Sequence, residues 1–214
     1  QASYRSSAAI LGIAIIQNLY GNAGMAPLMI IASVPLYNVM AVVILSIFKP
    51  GQGKLNGVVL KRTLKGIITN PIILGIAAGT LWSLLRLPFP KILDSTVGNL
   101  AKTATPLGLM AMGGSLRFGK AFSRLKASVA CTFMKLVGYE ALFLPLAIRC
   151  GFTQDKLVSI IIMLGSASTV TCFVMAKNMD HEGSFSSGVV LLTTVFSAFT
   201  LTLWLFICKN LGLI

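Results

Sequence analysis

Residues 6–48 read SSAAILGIAIIQNLYGNAGMAPLMIIASVPLYNVMAVVILSIF and contain no charged side chain. A bilayer crossing needs about 20 apolar residues, so this stretch is long enough for two transmembrane helices and too long for one helix of a soluble core. The glycines at positions 21 and 24, followed by Pro27, predict a tight turn between the two helices. The stretch therefore predicts an all-α protein that spans a membrane.

The composition of the whole chain agrees with this prediction. Only 11% of the 214 residues are charged, 56% are hydrophobic, and the mean hydropathy is +0.87. Soluble domains carry about 25% charged residues. The 18 Lys and Arg exceed the 5 Asp and Glu by 13, but long uncharged stretches separate them, whereas nucleic-acid-binding domains gather basic residues in a patch. These figures exclude a soluble domain, a disordered chain and a nucleic-acid partner, and they indicate a lipid bilayer as the surroundings.

Seven apolar windows, bounded by turn signals, are predicted to cross the membrane. They cover residues 5–21, 26–48, 66–86, 100–116, 127–149, 157–177 and 185–208. If the linker 49–65 is cytoplasmic, eleven Lys and Arg, Arg5 among them, fall on the cytoplasmic side and six on the other, with Lys135 set aside inside the fifth window. The positive-inside rule then predicts a plasma or bacterial inner membrane protein whose residue 1 is cytoplasmic and whose residue 214 is outside.

Two of these windows are interrupted in a similar way. Gly12 in the first window is followed by polar residues and a turn, and Gly165 in the sixth is followed by Ser166, Ser168 and Thr169. Interrupted helices in matching positions of two halves indicate a transporter with inverted repeats. The alternative is that these small residues only allow helices to pack closely.

These motifs resemble those of the auxin efflux carrier family. Residues 1–12 (QASYRSSAAILG) are similar to the start of that family's fourth helix, and Asn70-Pro71 to its sixth. Residues 105–116 (TPLGLMAMGGSL) are similar to the seventh helix, and residues 165–169 (GSAST) to the ninth. Ala14 and Ser168 stand where the family has crossover prolines. The resemblance runs along the whole chain, and its motifs occur in the family's order.

The resemblance implies a ten-helix carrier of two inverted five-helix repeats, in which broken helices four and nine cross near the membrane centre. Residues 1–48 would be the last two helices of the first repeat, 49–65 a cytoplasmic basic linker and 66–214 the second repeat. Helices one to three would precede residue 1. The family carries organic anions, such as auxin or dicarboxylates like malate, and the implied topology agrees with the count of Lys and Arg.

The predicted binding site for the substrate lies where the broken helices cross, because unwound N–H groups and helix N-termini can hold a carboxylate. The lining residues predicted there are Ser7, Gly12, Gly165, Ser166, Ser168 and Thr169.

Lys135 and Glu140 are ionisable residues well inside the fifth window, where such residues are functional candidates by default. Five residues correspond to about 140° around an α-helix, so the two side chains are expected on different faces. Lys135 is a candidate for balancing an anionic substrate, and Glu140 for carrying a coupling proton. The equally weighted alternative is that Lys135 extends to the membrane surface and Glu140 bonds a neighbouring helix.

Proline-associated polar residues are predicted to support the helix breaks. Asn38 follows Pro35 by three positions, and its amide is expected to bond a carbonyl group that the proline leaves free. Asn70 with Pro71 is given the same role, and Pro106 is expected to interrupt the fourth window. No metal site or cofactor is predicted.

The function predicted from these observations is secondary transport of a small organic anion by alternating access. A seven-helix receptor and an intramembrane enzyme are the alternatives. The receptor is suggested only by the number of windows. The enzyme is disfavoured because the only histidine of the sequence, His181, lies in a predicted loop. A homodimer is left open as the assembly state.

The topology leads to a first testable expectation. A reporter protein that is active only in the cytoplasm should be active when inserted in the linker 49–65 and inactive when fused after Ile214. The measurement is reporter activity in intact cells, normalised to the amount of fusion protein. Equal activity at both positions would contradict an odd number of crossings between them.

Overall fold

The computed structural model describes residues 1–22, 24–49, 61, 64–66, 68–69, 71–86, 88, 90–115 and 124–214. All regular elements within these residues are helical, which confirms the all-α fold class. The helices are α1 (Ala8–Tyr20), α2 (Ala26–Ile47), α3 (Pro71–Leu84), α4 (Lys91–Ser115), α5 (Leu125–Phe133), α6 (Tyr139–Arg149), α7 (Gln154–Gly165), α8 (Val170–Asn178) and α9 (Ser184–Asn210). A π-helical turn, Met134–Gly138, joins α5 to α6.

Three helical segments of the described chain are long and apolar enough to cross a membrane. They are Ala26–Ile47, Leu125–Arg149 and Ser184–Asn210, close to three of the predicted windows. Helices α7 and α8, which are bent by 43° at a short break, pass the same test together and make a fourth candidate crossing if the pair is counted as one span. The chain is therefore a polytopic α-helical membrane protein.

The other three windows differ in extent from the predicted ones. Helix α1 begins at Ala8 rather than near residue 5, and α3 covers only Pro71–Leu84 of window 66–86. Helix α4 begins at Lys91, nine residues before window 100–116, directly after Pro90 and with Asp94 in its first turn. A proline before a helix and an acidic residue in its first turn favour this early start. Seven crossings, and the division of the chain into repeats, stay predictions.

The described helices bury small polar side chains and expose large apolar ones. Ile31 and Phe199, for example, are 70% and 71% exposed. The buried hydroxyl residues include Ser6, Ser128, Thr132, Ser159, Ser166, Ser168, Ser187, Thr193 and Ser197. This distribution suits a bundle whose outer surface meets lipid, because apolar side chains cost nothing there and small residues let the helices approach closely.

The bent pair α7–α8 lies at the centre of the packing. Leu157 and Ile161 of α7 pack with α6 and α9, while Val158 and Ile162 pack with α1 and the start of α2. On α8, Cys172 and Phe173 pack with α4 and α9, and Met175 and Ala176 pack with α2. The pair thus contributes to every one of the four apolar clusters of the described residues, and its break lies between them.

Loops that are far apart in sequence meet at the two ends of the bundle. At the linker end, defined by residues 45–49, 124 and 179–183, Lys49 Nζ forms an ion pair with Asp180 Oδ2 at 2.6 Å. His181 Nε2 lies 2.9 Å from the carbonyl oxygen of Leu45. At the opposite end, defined by residues 21–22, 24–25, 150–154 and 211–214, the N–H of Gln154 donates to the carbonyl of Leu213 at 2.9 Å. The side of the membrane that each end faces stays a prediction.

The ion pair at the linker end has an electrostatic consequence for the loop after α8. The Lys49 ammonium group donates a hydrogen bond to the Asp180 carboxylate and holds its pKa below the usual range. The Asp180 side chain is 73% exposed, so the pair contributes little to stability by itself. It shows where the end of α2 lies relative to this loop.

The grouping of the loops can be tested by cross-linking. Lys49→Cys together with Asp180→Cys, in a background that lacks Cys131, Cys150, Cys172 and Cys208, should be joined by a short bifunctional thiol reagent, because the native side chains are in contact. The product is measured as a mobility shift after proteolysis between the two positions. The control pair Lys49→Cys with Asp155→Cys should give none, and efficient cross-linking of that pair would contradict the arrangement of the two ends.

Candidate functional site

Two irregular segments meet inside the bundle, residues 1–7 before α1 and residues 166–169 between α7 and α8. The backbone N–H of Ser7 donates to the carbonyl of Ala167 at 2.9 Å. The hydroxyl groups of Ser6 and Ser166 hydrogen-bond each other, and the Ser168 hydroxyl donates to the carbonyl of Ala2. We call these two segments the crossing. Hydrogen bonds between them satisfy groups that helix formation leaves free, as the membrane interior requires.

The sequence explains why α7 stops at the crossing without a proline. Gly165 is the last helical residue, and Ser166 and Thr169 have extended backbones, with φ/ψ of −70°/158° and −71°/145°. Serine and threonine offer the backbone alternative partners and so compete with helix formation. The Thr193 hydroxyl on α9 accepts a hydrogen bond from the N–H of Ser168 at 3.0 Å and donates to the carbonyl of Val189 at 2.7 Å.

Most of the lining residues predicted from the sequence come together here. Ser7, Ser166 and Ser168 make the contacts of the crossing, Gly165 ends α7, and Thr169 precedes the first residue of α8. Gly12 lies within α1, beyond the irregular segment that ends at Ser7. The first break therefore falls before Ala8, because the interruption coincides with the paired serines rather than with the glycine.

The polarity of the helices makes the crossing electropositive. Helices α1 and α8 both begin there, at Ala8 and Val170. The N-terminus of a helix carries about half a positive charge and presents free N–H groups. The C-terminus of α7, with the opposite partial charge, lies at Gly165, across the break from the start of α8.

Arg5 is a buried cation at the crossing, so the prediction that places it among the Lys and Arg of the cytoplasmic loops is wrong. The side chain is only 1% exposed. One guanidinium nitrogen donates to Asn38 Oδ1 at 2.7 Å and another contacts Met175 Sδ at 3.3 Å, while the group lies 5.2 Å from the centre of the Tyr37 ring. Without Arg5 the distribution of Lys and Arg is still ten against six. Its position directly before 43 uncharged residues was the signal in the sequence.

Lys135 is buried next to the crossing, with 1% of its side chain exposed. Its ammonium group donates to the carbonyl of Leu164 at 3.4 Å, at the C-terminal end of α7. Together with Ser3, Tyr4 and Tyr139 it lines a cavity of about 160 Å³. Among the described residues no carboxylate lies within ion-pair distance of Lys135 or of Arg5.

Glu140 is completely buried, and its carboxyl group touches the break itself. Neither oxygen has a hydrogen-bond partner among the described residues. A Cβ atom added to Gly165 would lie 2.5 Å from Glu140 Oε1 and 3.1 Å from Leu201 Cδ2. Glycine at position 165 is therefore what allows the carboxyl group to lie against the end of α7.

The expectation that Lys135 and Glu140 point to different faces is wrong in one respect. They contact consecutive residues at the end of α7, Leu164 and Gly165. The predicted angle assumed an α-helix, but Met134–Gly138 forms a π-helical turn, in which residues five apart follow one another on one face. Such turns occur frequently at functional sites.

The residues predicted to support helix breaks lie in different positions or make different contacts from those expected. The Asn38 amide donates to the carbonyl of Val34 at 2.8 Å, not to that of Ile31, which Pro35 leaves free. Its oxygen accepts from Arg5, so Asn38 connects α2 to the crossing. Pro71 begins α3, and Pro106 is exposed inside α4, which continues through it. Asn70 lies outside the described residues.

Helix α4 reaches the crossing through a close contact with α8. A Cβ atom added to Gly108 would lie 2.8 Å from Val170 Cγ1, at the first residue of α8. Met112, one turn further, is buried in the cluster that contains Ala2 and Cys172. The TPLGL motif thus contributes a helix surface that packs against the start of α8.

The fold and the crossing define an integral membrane protein with a broken, polar-lined helix at its centre. A family profile described as "Membrane transport protein" matches residues 3–205, and the chain belongs to this family. The resemblance to the auxin efflux carriers drawn from the sequence motifs is thereby confirmed.

One curated relative supports the same family. The chain is 26% identical over 162 residues to a protein of Rhizobium meliloti (strain 1021) named "Putative malonate transporter". The match covers 75% of this chain and 50% of that protein, so the chain spans about half the length of the relative. No solved structure gives a significant match to the chain.

The contact between Gly165 and Glu140 can be tested by stability. Gly165→Ala should lower the free energy of unfolding by about 1–3 kcal/mol, because the added methyl group overpacks the site. The measurement is thermal unfolding of the purified protein in detergent.

Two further variants test the cause. Gly113→Ala, where an added Cβ meets nothing within 4 Å, should cause no loss of stability. The effect of Gly165→Ala should shrink when Glu140→Ala is also present. An effect of equal size in both backgrounds would show that Glu140 is not the group that the methyl meets.

Proposed function

We propose that this protein is a secondary transporter that carries a small organic anion through the membrane by alternating access. The observation that carries the proposal is the crossing. Two interrupted segments are hydrogen-bonded to each other, with the N-termini of α1 and α8 and the buried cations Arg5 and Lys135 around them. Membrane carriers hold anionic groups at the N-termini of such discontinuous helices.

The proposed substrate is a carboxylate of modest size, either a dicarboxylate or an auxin-like acid. The name of the Rhizobium relative specifies malonate, which fits a site with cations and helix N-termini. In this proposal Lys135 pairs with a carboxylate group, and Ser7, Gly12, Gly165, Ser166, Ser168 and Thr169 contribute backbone or hydroxyl groups around it. A buried ammonium group without an acidic partner is costly, and an anionic substrate offsets that cost.

The packing around α7–α8 suits a movement that opens the crossing to alternate sides. Since α7 packs with α1, α6 and α9, while α8 packs with α2, α4 and α9, the break at residues 166–169 separates two sets of contacts. We place the linker end in the cytoplasm, as the distribution of Lys and Arg predicts. Family membership favours transport over the receptor and intramembrane enzyme alternatives.

Uptake into proteoliposomes tests the proposal. The full-length protein is reconstituted, and entry of radiolabelled malonate, malate and indole-3-acetate is compared with protein-free vesicles. Saturable entry of at least one acid, which unlabelled acid inhibits, is the expected result. Entry that matches the protein-free vesicles for all three acids would overturn the proposed substrate class.

Lys135 should be required for this transport. Lys135→Ala should reduce uptake at low substrate concentration by about tenfold or more, the loss expected for one charged hydrogen bond. Lys135→Arg should retain more activity, because it keeps the positive charge.

An exposed lysine provides the control for these variants. Lys209→Ala at the end of α9 should leave uptake unchanged. If Lys135→Ala transports like the wild type, Lys135 is not the substrate's partner.

A further inference from the structure

Glu140 and Lys135 form a compact pair at the end of α7 whose two charges have different surroundings. The Lys135 ammonium group meets a carbonyl oxygen, at a helix C-terminus that attracts positive charge. The Glu140 carboxyl group meets the same helix end, which repels negative charge, and has no hydrogen-bond donor among the described residues. Only a proton or a nearby cation can compensate a carboxylate there.

Few ionisable groups face Glu140 from the surrounding helices. Lys135, on its own helical segment, is the cation that interacts with it electrostatically, and from α9 the thiol of Cys208 does so. Helix α7 presents Gly165 at this point, and its ionisable residues Asp155 and Lys156 lie at its opposite end. Among the described residues, Lys135 and Glu140 therefore determine the charge at this end of α7. Arg5, which is held by Asn38 and Met175, carries the same charge in the empty and the loaded carrier and does not change this balance.

We propose that Glu140 is a proton-carrying residue, so that the anion crosses the membrane together with a proton. This inference rests on the proposed function. In the empty carrier, Lys135 is positive and Glu140 negative, and the pair is neutral. When a substrate with one negative charge, such as the monoanion of malonate, binds to Lys135, Glu140 takes up one proton from the same side, so Lys135, Glu140 and the substrate together are neutral as well. On the other side the carboxylate leaves and Glu140 releases its proton to water.

The physical reason for this coupling is the cost of moving net charge through the membrane interior. A loaded site with an ionised Glu140 would contain one uncompensated negative charge, and an empty site with a protonated Glu140 one uncompensated positive charge. Both neutral forms avoid this cost, so they are the forms in which the carrier can change from opening to one side of the membrane to opening to the other.

The first test is made on the wild type. Reconstituted full-length protein should take up protons together with malonate, which a pH-sensitive dye in the vesicle exterior detects. Uptake should rise when the exterior is more acidic than the interior. Malonate uptake without proton movement would overturn the inference and leave the proposed function intact. If neither uptake nor exchange of any tested acid occurs, both the inference and the proposed function are overturned.

The second test uses Glu140→Gln, which resembles the protonated carboxyl group. Glu140→Gln loaded with the monoanion of malonate is neutral at the Lys135 site, so exchange of external labelled for internal unlabelled malonate should persist within about threefold of the wild type. The empty variant carries the uncompensated charge of Lys135, so net uptake driven by a pH gradient should fall by about tenfold or more. The exchange activity also shows that the variant is folded.

An exposed carboxylate provides the matched control. Asp94→Asn, near the start of α4, should keep both net uptake and exchange, since it removes an exposed acidic group in the first turn of another helix. Net uptake by Glu140→Gln with the pH dependence of the wild type would overturn the inference. Equal loss of exchange and net uptake in Glu140→Gln would also overturn it, because the amide resembles the protonated carboxyl group and should preserve exchange.

Discussion

The structure depends on the hydrogen bonds between two segments that are not helical inside a bundle of membrane helices. Backbone N–H and C=O groups that leave a helix find no water there, so they must bond to protein. Residues 1–7 and 166–169 solve this by bonding each other, with the Thr193 hydroxyl as an additional partner. Neither segment could satisfy these groups alone. The hydrogen bonds between the two segments fix the position of α1 relative to α7 and α8, and they thereby fix the geometry of the crossing.

The crossing also gathers the charges that the membrane would otherwise exclude. Arg5 is held by neutral partners, Asn38 and Met175, and Lys135 by the carbonyl of Leu164. Two helix N-termini add partial positive charge nearby. An anion fits these surroundings better than a cation or a neutral molecule does, which is why family membership and local electrostatics lead to the same proposed substrate class. The lone carboxyl group of Glu140 is the exception to this positive environment.

Packing limits how these groups can move. The α7–α8 pair takes part in every apolar cluster of the described helices, so a change at its break is transmitted to α1, α2, α4, α6 and α9. The contact between Glu140 and Gly165 places an ionisable group on that break. In the proposed mechanism, a proton gained or lost there acts on the helix pair that packs against all of these helices. The proposal thereby connects the chemistry of Lys135 and Glu140 to alternating access.

The sequence by itself determined the class of the protein. Uncharged stretches of bilayer length, the distribution of Lys and Arg, and motifs in family order were enough for an all-α membrane transporter with a break after Gly165. These signals are local or compositional, so they need no knowledge of contacts. The sequence also singled out Lys135 and Glu140, because ionisable residues are rare in such stretches.

Only the tertiary structure decided how these residues meet. Arg5 looked like a surface charge because burial depends on α2 and α8, which lie 33 and 170 residues further along the chain. The first break falls before Ala8 because serines on two distant segments pair, not because of Gly12. Lys135 and Glu140 contact consecutive residues at the end of α7 because a π-helical turn precedes Glu140, and packing rather than residue spacing determines such a turn.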